Sequence, residues 1–164
     1  MDPRELLGMI SFFSEALNGD ELFQLAVGAR RREFPAGAVI IRENEPGDSM
    51  FVIESGEVAV TVDGESEPVA NLFAGDFVGE MSLLTGEPRN ATVTAVEAVA
   101  AYEIGKQALA PVLAESPALD ERFAETMEMR QIALDKAVGA GAWGMVRLGK
   151  GEMLSRIRAF YSRP

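Results

Sequence analysis

Over residues 4–30 apolar side chains return every three or four positions: Leu6, Leu7, Ile10, Phe13 and Leu17, then Leu22, Phe23, Leu25 and Ala26. That spacing keeps them on one stripe of a helix. Asn18-Gly19-Asp20 interrupts the stripe, so two helices are predicted, the second with Asp20 as its N-cap. From residue 33 the period falls to two. Short runs rich in Val, Ile and Phe alternate with turn sequences at Pro35-Ala36-Gly37, Glu45-Pro46-Gly47-Asp48, Asp63-Gly64 and Ala74-Gly75-Asp76. This is the pattern of a compact antiparallel barrel or jelly roll. In residues 58–62, Val58, Val60 and Val62 fall on one face and Ala59 and Thr61 on the other, ahead of a hairpin turn at Asp63-Gly64. Strands resume at 91–96 and 99–104, and the helical period returns at residue 106. Pro117 divides a short helix from a longer one over residues 118–138, on which Leu119, Phe123, Met127, Arg130 and Leu134 share a face. One member of that stripe is charged.

These segments predict one folded unit over residues 1–138, with N-terminal helices at about 4–30, a barrel at about 33–104 and C-terminal helices at about 105–138. After Val138 the stretch Gly139-Ala140-Gly141-Ala142-Trp143-Gly144 is a flexible break, and a basic tail runs to residue 164. In the tail Met153, Leu154, Ile157, Phe160 and Tyr161 fall on one helical face beside Arg156, Arg158 and Arg163. So short a helix rarely holds alone. It either docks on its own domain or meets a membrane surface or a partner.

A chain of 164 residues and 17.6 kDa has room for one core. With 15 Lys and Arg against 26 Asp and Glu the net charge is −11, which opposes binding to nucleic acid through phosphate neutralisation. The charge is uneven: residues 139–164 hold five basic and one acidic side chain, a balance of +4, and residues 1–138 stand at −15. There is no Cys and no His. Their absence excludes disulfides, thiol nucleophiles, Ser-His-Asp catalysis and the usual zinc sites. A cupin-like metalloenzyme, which would share a jelly-roll outline, lacks its customary ligands here. No catalytic residue and no metal ligand is expected, and the chain is read as a non-enzyme. The start of the chain shows no basic segment followed by an apolar run, and no stretch of about 18 apolar residues occurs. Neither an export signal nor a membrane span is expected.

The chemistry lies in residues 77–93, Phe77-Val78-Gly79-Glu80-Met81-Ser82-Leu83-Leu84-Thr85-Gly86-Glu87-Pro88-Arg89-Asn90-Ala91-Thr92-Val93. Gly79 permits a sharp turn, residues 80–85 make a short helix, and Gly86-Glu87-Pro88 ends it before a strand. The helix start leaves the N–H groups of Glu80, Met81, Ser82 and Leu83 without internal acceptors, a setting that favours an anion. Arg89 returns across the loop with a planar fork of donors. Glu80 beside an anion is anomalous unless its carboxylate accepts from a neighbouring hydroxyl. A phosphate with an adjacent sugar hydroxyl meets all three requirements.

This segment resembles the phosphate-binding cassette of cyclic nucleotide-binding domains, found in catabolite-activator-type regulators, protein kinase A regulatory subunits and cyclic-nucleotide-gated channels. The resemblance extends over about residues 5–138 and includes Ser55-Gly56-Glu57-Val58 and Gly75-Asp76-Phe77. It implies an α+β fold, an antiparallel β jelly-roll barrel with flanking N-terminal helices, a short cassette helix and two C-terminal helices. It implies that Gly79 opens the cassette, that Glu80 binds the ribose 2′-hydroxyl, and that the amides near Met81 and Ser82 bind the cyclic phosphate together with Arg89. Asn90 and Ala91 take the place of the small pair that follows. Val60, Val69 and Leu72 match positions of an apolar wall for the purine, although core packing would explain them as well. Arg130 either lets its stem snorkel or lies over the purine as a lid, with Met127 and Leu134 as competing lids. Asn90 departs from the Ala, Thr or Ser usual after the Arg, so the ligand is cAMP or cGMP with cAMP slightly favoured.

A sensor of this kind runs no reaction: nucleotide draws the cassette inward and a hinge near Glu115-Ser116-Pro117 lets the last helix close. Only 26 residues follow Val138, too few for the helix-turn-helix module of a complete DNA-binding regulator. The layout is similar to the C-terminal sensor of bacterial ion channels, including those related to small-conductance mechanosensitive channels. The expected partners are therefore a cyclic nucleotide and a covalently linked channel or other effector domain, with no nucleic acid. A membrane surface at the tail and a second copy in a homo-oligomer complete the set. The expected place is the cytoplasm, as the cytoplasmic domain of an inner-membrane protein. A sensor module of a transcription regulator and a standalone docking domain are the alternatives.

Overall fold

The computed structural model describes residues 1–116, 118–138 and 148–161, the side chains of 133–138 excepted. The N-terminal region forms three short helices rather than two: α1 (Pro3–Gly8), α2 (Ser11–Ser14) and α3 (Gly19–Val27). The cap of α3 is Asn18, not Asp20. Asn18 Oδ1 accepts from the Glu21 N–H at 2.8 Å, and the Glu21 carboxylate accepts from the Asn18 N–H at 2.8 Å. Only Asn18 has a Glu three positions on, so the reciprocal bond fixes the helix start there.

Eight strands follow: β1 (Arg30–Phe34), β2 (Val39–Ile41), β3 (Ser49–Ser55), β4 (Val58–Thr61), β5 (Ala70–Leu72), β6 (Phe77–Val78), β7 (Thr92–Ala95) and β8 (Val99–Gly105). They pair antiparallel in two four-stranded sheets, ordered β1-β8-β3-β6 and β2-β7-β4-β5. This is the jelly-roll arrangement, as two facing sheets rather than a closed barrel. The strands begin at Arg30, three residues before the expected start. Val58 and Val60 point inward as the alternation requires. The turn at Asp63-Gly64 is present, with the Glu65 N–H donating to the Val62 carbonyl and Gly64 at φ 92°, but residues 62–69 separate the two strands.

The cassette helix is α4 (Glu80–Thr85), and α5 (Lys106–Glu115), α6 (Leu119–Val138) and α7 (Lys150–Tyr161) complete the chain. Pro117 and the glycine-rich stretch lie outside the described residues. Strand β3 explains how two cores coexist. Its Phe51 and Ile53 enter the space between the sheets with Val58, Val60 and Val93, while Met50 and Val52 face the helices with Leu7, Phe13, Leu84 and Phe123. Both faces are covered, so the strand is apolar without a break from Met50 to Ile53.

Helix α7 lies against α4 and α6, with Met153 and Ile157 fully buried in the helical core. In this arrangement Met153 and Ile157 meet the domain, with Leu154, Phe160 and Tyr161 half-buried beside them.

The α5–α6 connection is tied to the N-terminal helices through Glu21. Its carboxylate accepts from the Ser116 hydroxyl and, at 3.1 Å, from Arg122 Nη2 on α6. Burial alone would raise the Glu21 pKa, but the Ser116 hydroxyl, the Asn18 N–H and the Arg122 charge together hold it below the usual carboxylate value. A carboxylate with a depressed folded-state pKa contributes stability above its unfolded pKa and loses it as pH falls through the folded value. Glu21→Gln is expected to cost about 1 kcal/mol at neutral pH, and thermal melts should show the gap from the parent narrowing below about pH 4.5. A gap that stays constant through that range would show that Glu21 carries no such charge-dependent bonds.

Candidate functional site

Strand β6 delivers the chain to the cassette. Val78 pairs with Phe51 and Phe77 with Val52, after which Gly79 turns sharply at φ 87°. A Cβ at Gly79 would meet the Ser49 carbonyl and the Arg89 guanidinium, so glycine is needed for space as well as for conformation. Helix α4 then makes less than two turns and ends at Gly86, again left-handed at φ 74°. The Ser82 hydroxyl donates to the Glu87 carbonyl at 2.8 Å and closes the loop that carries Arg89 back.

Arg89 is held at both its backbone and its tip. Its N–H donates to the Glu45 carbonyl at 2.9 Å, and its carbonyl accepts from the Asn44 N–H at 2.8 Å. Nη1 donates to the Ser49 carbonyl at 2.5 Å and Nη2 to the Ser49 hydroxyl at 3.1 Å. That hydroxyl donates onward to Glu103 at 2.8 Å. Among the described residues no carboxylate lies within 4 Å of the guanidinium. Burial pulls its pKa below the usual arginine value, and the charges of Glu103 and Asp48 only partly restore it. A half-buried cation is thus fixed in place with neutral direct partners.

Glu80 is buried and its Oε2 accepts from Arg130 Nε at 2.8 Å. The Arg130 guanidinium also lies over the Phe77 ring, 3.9 Å from its centroid. Phe77 stacks on Phe12, which in turn packs on Phe123. The Arg130 side chain is partly exposed, with its guanidinium engaged by Glu80 and Phe77. It is fastened to the cassette, and the apolar stripe of α6 accommodates it because Phe77 offers a π face where a further aliphatic would sit.

A narrow hollow of about 20 Å³ opens beside these groups, lined by Ile41, Val60, Val78, Gly79, Glu80, Arg89, Asn90, Ala91 and Val93. Its polar members converge from the cassette and its apolar ones from the inner faces of both sheets. Of the residues singled out from sequence, Val60, Gly79, Glu80, Arg89, Asn90 and Ala91 are brought together here. Ser82 closes the cassette loop, and Met81 packs on the helical core. Val69 and Leu72 are half-buried against the inter-sheet core but do not line the hollow. Met127 is fully buried in the helical core, and the Leu134 side chain lies outside the described residues. Ile41, Val78 and Val93 were missed. Alternation marks them as inward-facing, but nothing local separates the inward residues at a hollow from those in the core.

A wider and more open groove between α5 and α7, lined by Ala110, Leu113, Ile157 and Tyr161, is mainly apolar and has the Arg158–Asp120 ion pair at its edge. Its only guanidinium is already paired, so the smaller hollow carries the chemistry. Among the described residues no group of three or more acidic side chains is placed to hold a metal ion.

The model of the cyclic nucleotide-binding domain family matches residues 31–116. A cyclic nucleotide-gated potassium channel of Mesorhizobium japonicum is 35% identical over 133 residues, 81% of this chain and 36% of the channel. A cAMP-dependent protein kinase regulatory subunit of Emericella nidulans is 42% identical over 84 residues, 49% of this chain and 20% of that subunit. The chain thus spans about a third or less of these relatives. The crystal structure of a cyclic nucleotide-binding domain from Methylobacillus flagellatus superposes with a TM-score of 0.67 at 25% identity, covering 84% of this chain and 80% of that one.

Proposed function

We propose that this chain, which belongs to the cyclic nucleotide-binding domain family, holds a cyclic nucleotide in the hollow beside α4 and passes its occupancy to α6, with cAMP favoured over cGMP. The observation that carries this reading is Arg89: a fixed, half-buried guanidinium without a direct carboxylate partner among the described residues, bordering the hollow beside α4. A cyclic phosphate would supply the missing negative charge, and desolvation would strengthen the pairing. Ile41, Val60 and Val93 offer the purine an apolar wall, and Asn90 can donate to or accept from the ligand.

Glu80 supplies the coupling. Its Oε2 is taken by Arg130, and its other oxygen can accept from a ribose hydroxyl. A ligand that orders the Glu80 carboxylate therefore favours the state in which α6 lies closed on the cassette, and closure of α6 favours the ligand to the same degree. The effector that reads α6 is an ion channel in this proposal, supported by a potassium-channel relative whose match spans 81% of this chain. Among the described residues no helix is long and apolar enough to cross a membrane, so the pore would come from other segments or chains.

Titration with cAMP, cGMP and cyclic di-GMP, followed by thermal melting and calorimetry, tests the reading. Ligand at 100 times its Kd should stabilise the fold by about 2.7 kcal/mol. The expected order is cAMP, then cGMP, with no shift from the bulkier dinucleotide. A melting temperature unmoved by either mononucleotide would refute it.

A further inference from the structure

Helix α7 packs against the cassette helix without reaching the hollow. Its approach is anchored on α6, where Gln131 Nε2 donates to the Leu148 carbonyl and the Leu148 N–H donates to Gln131 Oε1, both at 3.1 Å. The Lys150 N–H donates to Glu128 at 2.9 Å, and Arg158 pairs with Asp120 at 2.7 Å. From that footing three side chains reach forward. The Tyr161 hydroxyl donates to the Leu83 carbonyl at 2.5 Å, Arg156 pairs with Glu87, and the Phe160 ring lies where a Cβ on Gly86 would stand. Lys106 at the start of α5 lies over the Phe160 ring, 3.9 Å from its centroid. None of these residues lines the hollow.

Helix α4 has only six residues and a left-handed glycine at each end, so its own backbone does little to fix its direction. Packing must do so. Burial and the nearby Asp48 charge push the Tyr161 phenol far above its ordinary pKa, which keeps it a donor.

We infer that α7 is a positioning element of the nucleotide site: Arg156, Phe160 and Tyr161 hold the C-terminal end of α4 against α6, so that the Glu80 and Arg89 geometry exists before ligand arrives. The affinity consequence rests on the binding reading above, while the ordering of α4 does not. A ligand that meets an ordered cassette loses less conformational entropy on binding, so α7 raises affinity without touching it. By reciprocity, bound nucleotide tightens the docking of α7.

Charge exchange in the full chain tests this. Arg156→Glu and Glu87→Arg, both at partly exposed positions, are each expected to weaken cAMP binding at least fivefold. Each should also speed amide exchange at residues 83–86 at least tenfold, leaving β3 and β8 unchanged. The double variant should recover both values to within twofold, which a general loss of packing would not do. Tyr161→Phe keeps the ring, loses only the bond to Leu83, and should shift both readouts about threefold in the same direction. Single variants with parental exchange at residues 83–86, or with unchanged or tighter cAMP binding, would overturn the inference. If the parent chain bound no cyclic nucleotide, the functional reading would fall, and the exchange arm would still decide whether α7 orders the cassette.

Discussion

Arg89→Ala is expected to weaken cyclic nucleotide binding by about 2–5 kcal/mol, a loss of roughly 30-fold or more in Kd. Among the described residues the guanidinium is the one cation that borders the hollow, and it arrives there with both ends fixed: backbone bonds to Asn44 and Glu45, side-chain bonds to Ser49. Because these contacts exist without ligand, no ordering of a long side chain offsets the gain on binding. The same substitution should change the melting temperature of the free protein little. It removes two hydrogen bonds to Ser49, but it also removes a desolvated charge that lacks a direct carboxylate partner. Arg89→Lys should fall between, since an ammonium keeps the charge and loses the two-pronged geometry. Calorimetry that returned the parental Kd for the alanine variant would remove Arg89 from the site.

Gly47→Ala should impair binding without altering any residue that lines the hollow. A Cβ at Gly47 would overlap Cδ, Nε and Cζ of Arg89, and Gly47 does not lie in the left-handed region, so alanine brings no backbone strain of its own. The whole effect is therefore steric displacement of the arginine stem, at about 1–3 kcal/mol for a forced methyl group in a packed site. Gly37→Ala is the matching control. Gly37 sits at φ 87° with open space where its Cβ would be, so that variant should lose stability and keep its affinity. Parental affinity in Gly47→Ala would mean that the Arg89 stem can move aside without consequence.

Gly47 also shows where a sequence reading stops. From the chain it belongs to the turn Glu45-Pro46-Gly47-Asp48, and a glycine in a turn needs no further explanation. Its second duty, leaving room for a side chain 42 positions away, has no local trace. Arg130 is the converse case. A charge on an otherwise apolar stripe announced itself, yet nothing near it in the chain pointed to its contacts, because Glu80 lies 50 positions earlier and the Phe77 face beneath it is brought there only by the fold. Likewise, the alternation of Val58 and Val60 predicted which side faces inward, but not that Val60 meets the hollow while Val58 does not.

The cassette was readable because its parts are contiguous. In 17 residues two glycines, a carboxylate, a helix start and an arginine fall at separations that backbone geometry converts directly into positions. Hydrophobic period likewise set the order of helices and strands, since a period of two or of 3.6 is a property of neighbouring residues. Tertiary structure alone decided what closes on the cassette. Arg130 reaches Glu80, and Tyr161 reaches the Leu83 carbonyl 78 positions away, only once the sheets have brought α6 and α7 alongside α4. A backbone carbonyl has no residue signature, and an apolar stripe says that a helix will be buried without saying against what.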